Sequence, residues 1–177
     1  MPASTPVACH VASPLGELIL LSDDTGKRLA GLWIIGENHA PPSSAAWRRD
    51  DAALPQARRQ LAEYFSGKRT TFDLPLAAEG TPFQLQAWQA LRAISYGTTI
   101  TYGQQAAAIG KPTAYRAIGL ANGRNPLAII VPCHRVIGAN GALTGYGGGL
   151  AAKRWLLDHE ARATTKKPGC ARLNRVR

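Results

Sequence analysis

A thiol and an imidazole stand next to each other in the run Pro132-Cys133-His134-Arg135. The thiolate is the reactive form of cysteine, and a neighbouring imidazole or cation brings its pKa from about 8.5 into the working range. Adjacency does not establish contact. Side chains at i and i+1 diverge in an extended segment, so a bend or a bridging water would have to join them. Cysteine is also a common small core residue, so the pair by itself leaves a structural reading open. Glycines follow closely, from Gly138 to Gly141 and from Gly145 to Gly149 around Tyr146. They read either as surface turns or as a loop whose backbone amides approach a flat ligand.

The other two cysteines, Cys9 and Cys170, lie at wide, irregular spacing from Cys133. Neither a disulfide framework nor a CxxC metal site is implied, and a reducing compartment fits best. Cys9, His10 and His39 could supply part of a zinc site, but adjacent ligands and a missing fourth favour a purely structural role. With 21 Lys and Arg against 11 Asp and Glu, the formal charge is +10. Such an excess favours a polyanionic partner through counterion release. Part of it sits in residues 164–177, which read as a basic, solvated tail. No run of about 18 apolar residues is present, and Met1-Pro2-Ala3-Ser4-Thr5 lacks the features of a secretory signal. No membrane association and a cytoplasmic location are expected.

The elements that must position these groups can be read in order. Val7–Ala12, Leu18–Ser22 and Leu29–Ile35 are apolar segments separated by the turn signals Ser13-Pro14-Leu15-Gly16 and Asp23-Asp24-Thr25-Gly26, which predicts a small antiparallel meander. A loop at Pro41–Ser44 follows, and Leu54, Ala57, Leu61 and Phe65 recur at helical spacing up to Gly67. Residues 70–76 read as one more strand. At Thr81-Pro82-Phe83-Gln84 an N-cap, a proline at the first helical position and a capping-box Gln open a helix striped by Phe83, Ala87, Leu91 and Ile94 and flanked by Trp88. Two short helices, Gln104–Ile109 and Pro112–Asn122, have the length and connection of a helix-turn-helix, though helical hairpins of this size also occur without DNA. Leu127–Val131 reads as a buried extended run leading to Cys133, and Ala151–Glu160 as a last amphipathic helix. The fold class is α/β: an N-terminal domain (1–78) with a small antiparallel sheet plus helix, and a mostly helical C-terminal domain (79–163).

Several motifs resemble one known family, the methylated-DNA–protein-cysteine methyltransferases, or O6-alkylguanine-DNA alkyltransferases. They are Arg116-Ala117-Ile118-Gly119, Asn125-Pro126, Ile130-Val131-Pro132-Cys133-His134-Arg135-Val136, Tyr146-Gly147-Gly148-Gly149-Leu150 and Lys153, in the family's order and spacing across residues 81–160. The Ser13–Gly16 turn is similar to that of the family's N-terminal domain.

The resemblance implies that Cys133 is nucleophile and alkyl acceptor, and that His134, acting through a water and oriented by Glu160, takes its proton. Asn125 would brace the turn that aims the thiol, and Lys153 would assist near the pocket. Tyr102 would press on the DNA backbone and help protonate the departing guanine, while Arg116 would fill the gap left in the base stack, with Ala114 and Tyr115 beside it on the DNA. Val136, Tyr146, Gly147 and Gly148 would form the substrate pocket. The chemistry is self-consistent: an O6-alkyl carbon is a poor electrophile that needs a thiolate, and a base inside a duplex must be extruded to be reached. Neither a cofactor nor a metal is implied, and the partner would be double-stranded DNA carrying O6-alkylguanine, met by a monomer without an obligate protein partner.

The chain departs from the family pattern in places. Tyr115 stands where the recognition helix usually has alanine, and Thr98 replaces an acidic residue, which predicts that Arg135 lacks a customary salt-bridge partner. Zinc ligands found in some members are not recognisable. Two other function classes remain at this stage: a module that recognises alkylated DNA without chemistry, against which Cys133 argues, and a turnover hydrolase using Cys133, His134 and Glu160.

Overall fold

The computed structural model describes residues 5–35 and 47–165. His39, Cys170, the Pro41–Ser44 loop and the tail from residue 166 onward lie outside the described residues. The strands β1 (Val7–Ser13), β2 (Gly16–Ser22) and β3 (Leu29–Ile34) form the expected antiparallel meander. The β1–β2 hairpin closes through Pro14-Leu15, with Gly16 at φ +97 supplying a backbone conformation that side chains resist. The next turn is organised by the Asp23 carboxylate, which accepts from Thr25 Oγ1 (2.7 Å), from the Lys27 and Arg28 amides and from Arg28 Nε (2.8 Å).

Two features correct the sequence reading of this sheet. A short β4 (Arg48–Arg49) pairs parallel with β1, so the sheet is mixed, in the order β3-β2-β1-β4. Residues 70–76 do not form a strand; they touch the sheet by a single parallel bridge, Leu29 to Leu76. Pro75, lacking an amide hydrogen, prevents a regular ladder.

Helix α1 (Pro55–Phe65) buries Ala57, Gln60, Leu61 and Tyr64, and Gly67 at φ +73 follows its end. Helix α2 (Pro82–Arg92) carries the anticipated capping box, with the Thr81 amide donating to Gln84 Oε1 (2.8 Å) and the Gln84 amide to Thr81 Oγ1 (3.3 Å). Trp88 is 4% exposed and donates from Nε1 to the Ala121 carbonyl, so it belongs to the packed face and not beside it. A second capping box, Thr101 with Gln104, starts α3 (Tyr102–Ala108) two residues earlier than the apolar spacing indicated. Helix α4 (Tyr115–Gly123) begins three residues later than expected, because Lys111–Ala114 forms a turn closed by the Ala114 amide on the Lys111 carbonyl. A buried Gln105–Asn122 amide pair (2.7 and 3.1 Å) locks α3 to α4. Such paired buried polar groups specify one packing, since an unmet one costs about 1–3 kcal/mol.

The segment Leu127–Val131 is buried as anticipated but is not extended. It is a sequence of turns with Ile129 at φ +71 and the Val131 amide on the Leu127 carbonyl. A short apolar run does not discriminate between extended and turned backbone. Its outer edge is taken by β3: the Leu32 amide donates to the Pro126 carbonyl (2.8 Å) and the Ala128 amide to the Leu32 carbonyl (3.1 Å). A 3-10 turn (Cys133–Arg135) follows, then β6 (Val136–Ile137), which pairs parallel with β5 (Ile100–Thr101). Helix α5 (Gly149–Thr165) starts earlier and ends later than expected, taking in Thr164 and Thr165. Among the described residues no helix is long and apolar enough to cross a membrane.

Candidate active site

Cys133 opens the 3-10 turn and is 8% exposed. Asn125 holds this corner from both ends. Its Nδ2 donates to the Val131 carbonyl (2.7 Å) and to Cys133 Sγ (3.3 Å), and its Oδ1 accepts from the Leu127 amide (3.0 Å). Burial pushes the thiol pKa up, opposed by the Asn125 hydrogen bond and the Lys153 charge. The resting sulfur is therefore a protonated thiol that needs a base nearby.

The 3-10 turn separates His134 from Cys133 enough that no direct hydrogen bond joins them. The His134 ring is fully buried, and its Nε2–H donates to Glu160 Oε1 at 2.8 Å. Its Nδ1 is also buried and has no protein partner among the described residues. Burial lowers the imidazole pKa, with Glu160 pulling it back up, so the ring is neutral at rest with its lone pair on Nδ1.

Glu160 reaches this ring from α5. Burial would raise its pKa, but the hydrogen bonds from His134 and Arg135, together with the Arg135 charge, outweigh burial and hold it at about 2. Arg135 donates to both its oxygens (Nε to Oε2 3.0 Å, Nη2 to Oε1 3.0 Å) and also to the Ile94 carbonyl. The expectation that Arg135 would lack a salt-bridge partner because of Thr98 is thus corrected: Glu160 fills that role. The Gly97 amide donates to Oε2 (3.0 Å) and the Tyr64 hydroxyl to Oε1 (2.8 Å).

A small cleft, with a cavity volume of about 30 Å³, opens at Cys133. It is lined by Asn122, Gly123, Asn125, Ala128, Tyr146, Gly147 and Gly148, and also by Trp33 and Ile34 of β3. Gly148 is a packing necessity: a Cβ there would lie 2.6 Å from Ile34 Cδ1 and 2.9 Å from Tyr146 Cε1. Val136, named for the pocket from sequence, is fully buried in β6 and is not among the lining residues; its carbonyl accepts from Lys153 Nζ. Lys153 is itself fully buried and also donates to the Thr144 carbonyl (2.7 Å), so it ties the glycine-rich loop to β6. Tyr102 lies outside the cleft lining, with its hydroxyl donating to the same Thr144 carbonyl (3.2 Å).

The remaining candidates sit on α4. Ala114 is its N-cap and partly buried, Tyr115 is 49% exposed, and Arg116 is exposed with its guanidinium 5.8 Å from the Tyr115 ring centre. No carboxylate pairs with Arg116 among the described residues. Sequence reasoning missed Tyr64, Gly97, Trp33 and Ile34, all brought in from distant parts of the chain. The one local signal was Tyr64 itself, an aromatic residue on the buried stripe of α1.

A small mixed sheet with one helix, followed by a compact helical unit carrying a buried thiol beside an imidazole–carboxylate pair, defines a two-part class. Residues 10–78 match the ribonuclease-like domain of 6-O-methylguanine DNA methyltransferase, and residues 82–162 match the DNA binding domain of that protein. The methylated-DNA–protein-cysteine methyltransferase of Methanosarcina acetivorans is 49% identical over 148 residues, covering 84% of this chain and 94% of its own length. That of Mycobacterium tuberculosis is 50% identical over 150 residues, covering 85% and 89%. The crystal structure of the Mycobacterium tuberculosis OGT in complex with DNA superposes with a TM-score of 0.83 at 47% identity, over 89% of this chain and 94% of the other. The chain belongs to the O6-methylguanine DNA methyltransferase family.

Proposed function

We propose that this protein repairs O6-alkylguanine in double-stranded DNA by moving the alkyl group onto Cys133 once and irreversibly. The observation that carries this reading is the Cys133 thiol at the floor of a narrow cleft, with a neutral His134 held by an ionised Glu160 behind it. A base extruded from the duplex enters the cleft between Tyr146 and the Gly147-Gly148 backbone. The Cys133 proton passes through a water to His134 Nδ1, whose opposite nitrogen is anchored on Glu160. Sγ attacks the alkyl carbon, a C–S bond forms, and the bond from that carbon to O6 breaks. The electron pair leaves with guanine, which takes a proton from Tyr102 once that hydroxyl is released from Thr144. The product is a thioether that hydrolysis does not reverse, so the protein is consumed.

In this reading α4 enters the DNA with Ala114, Tyr115 and Arg116, and Arg116 occupies the place of the extruded base. Lys153 acts indirectly, by holding the loop that bears Tyr146. The chain works as a monomer in two domains, 1–78 and 79–163, with a basic tail, in a reducing compartment such as the cytoplasm, and needs neither cofactor nor metal.

The test is intact-mass and peptide mass spectrometry after incubation with a duplex carrying O6-methylguanine. One methyl group on Cys133, and none in Cys133→Ser, is expected. Repeated turnover would point to a hydrolase, DNA binding without transfer to a recognition module, and a methyl on Cys9 or Cys170 to a different nucleophile.

A further inference from the structure

Tyr64 belongs to α1, in the N-terminal sheet-bearing part of the chain, yet its hydroxyl ends 2.8 Å from Glu160 Oε1, 96 residues away in sequence. The side chain is fully buried. Its ring is held by Phe65, Phe72, Tyr96 and His159, at centroid distances of 5.5, 5.4, 6.0 and 5.3 Å. The oxygen it meets is the one that accepts from His134 Nε2 at 2.8 Å. Arg135 Nη2 also donates to it at 3.0 Å, and donors that share one carboxylate oxygen share its electron density, so each weakens the others' bonds.

We infer that Tyr64 is a positioning residue of the proton relay: its hydroxyl fixes the Glu160 carboxylate and restrains its pull on the His134 ring, which sets the basicity of Nδ1. This rests on the alkyl-transfer reading above. It gives the N-terminal part of the chain a share in the chemistry, although the nucleophile and base lie elsewhere. Burial and the neighbouring Glu160 push the Tyr64 hydroxyl pKa far above its ordinary value, so it stays protonated and always donates.

The sign of the effect follows from the geometry. Without the hydroxyl, Oε1 binds the Nε2 proton of His134 more strongly, the imidazolium is favoured, and Nδ1 holds an added proton at higher pH. The other ionisable groups around the pair are Cys133 and Arg135 in the 3-10 turn, Tyr96 after α2, Tyr146 in the glycine-rich loop, and Lys153 and His159 on α5. Of these, His159 is the second imidazole, its Nε2–H bonded to the Tyr64 carbonyl (2.8 Å), so it needs a control.

The experiment compares wild type, Tyr64→Phe and His159→Gln in single-turnover methyl transfer from O6-methylguanine duplex between pH 5.5 and pH 9. Tyr64→Phe keeps the ring and its packing. The acid limb of its rate profile is expected to move up by about half a pH unit, the size of one modest hydrogen bond, while the rate on the alkaline plateau stays close to native. His159→Gln is expected to leave the limb in place. A uniform loss at every pH in Tyr64→Phe, or the same shift in His159→Gln, would overturn the inference. A second readout needs no substrate: the proton NMR resonance of His134 Nε2–H should move downfield in Tyr64→Phe as its bond to Glu160 strengthens. An unmoved resonance would reject the role of Tyr64 even if methyl transfer is confirmed. A moved resonance in a protein that transfers no methyl would reject the function and keep the coupling.

Discussion

The Asn125 side chain touches Cys133 Sγ at 3.3 Å while its other contacts, to Val131 and Leu127, close the turn that carries the cysteine. One amide thus aims the sulfur and lowers its pKa against the effect of burial. Asn125→Ala is expected to raise the pH at which Cys133 reacts with iodoacetamide and to slow methyl transfer at neutral pH. An unchanged thiol titration alongside slower transfer would reduce Asn125 to a purely geometric brace.

Methylation of Cys133 should destabilise the protein. Cys133 is 8% exposed and its sulfur is held against Asn125, and an extra carbon in a tight interior costs about 1–3 kcal/mol. At about 2–4 °C per kcal/mol for a chain of this size, the methylated form should melt several degrees below the free protein. Superimposable melting curves would show that the cleft accommodates the methyl without strain.

An Arg116 variant can separate base extrusion from chemistry. Arg116 is exposed on α4 and is not among the residues lining the cleft at Cys133. Its truncation to Ala should slow repair of duplex DNA by removing the group that offsets unstacking, a cost of a few kcal/mol. Reaction with free O6-benzylguanine, which needs no extrusion, should proceed at nearly the native rate. Equal losses on both substrates would assign Arg116 to the fold, and undiminished duplex repair would make it a surface charge.

Gly148→Ala should impair the cleft without touching a reactive atom, because the new methyl would collide with Ile34 and Tyr146 and displace the loop. Gly123→Ala, also at the cleft but with nothing within 4 Å of a Cβ, serves as the control and should react like wild type. Equal transfer rates for the two variants would show that the loop yields at no cost.

Glu160 links the site to acid stability. Its folded-state pKa of about 2 lies below its ordinary 4.5, so its ionised form contributes stability that is complete above about pH 4.5 and fades as pH falls toward 2. At pH 7, Glu160→Gln should lose about 3–5 kcal/mol by leaving Arg135 buried without its counter-charge. The gap between variant and wild type in urea melts should narrow from pH 5 to pH 3. Asp23, whose pKa is also lowered, titrates in both proteins and cancels in the comparison. A gap that stays constant with pH would mean that the carboxylate charge is not what stabilises this region.

The legible parts of this protein were those written in local chemistry. Thr81 and Gln84 declared the start of α2 because a capping box is satisfied within four residues, and Pro14 and Gly16 declared the first hairpin for a similar reason. Cys133 and His134 were legible because they are adjacent in the chain, and Asn125 because it lies in a motif that resembles the family's. The motifs around them also named the family, since spacing along a chain is a property of sequence itself.

Other features existed only once the chain had folded. Arg48–Arg49 became a strand because β1 offered it an edge, and Leu127–Val131 turned because Asn125 and the edge of β3 claimed its amides and carbonyls. Arg135 found its counter-charge on α5, Tyr64 reached Glu160 across 96 residues, and Trp33 and Ile34 closed a cleft whose cysteine lies a hundred residues further on. Sequence determined which groups could react and in what local frame. Their pKa shifts and the walls of the pocket were decided by tertiary structure, because burial and long-range hydrogen bonds depend on what lies nearby in space and not along the chain.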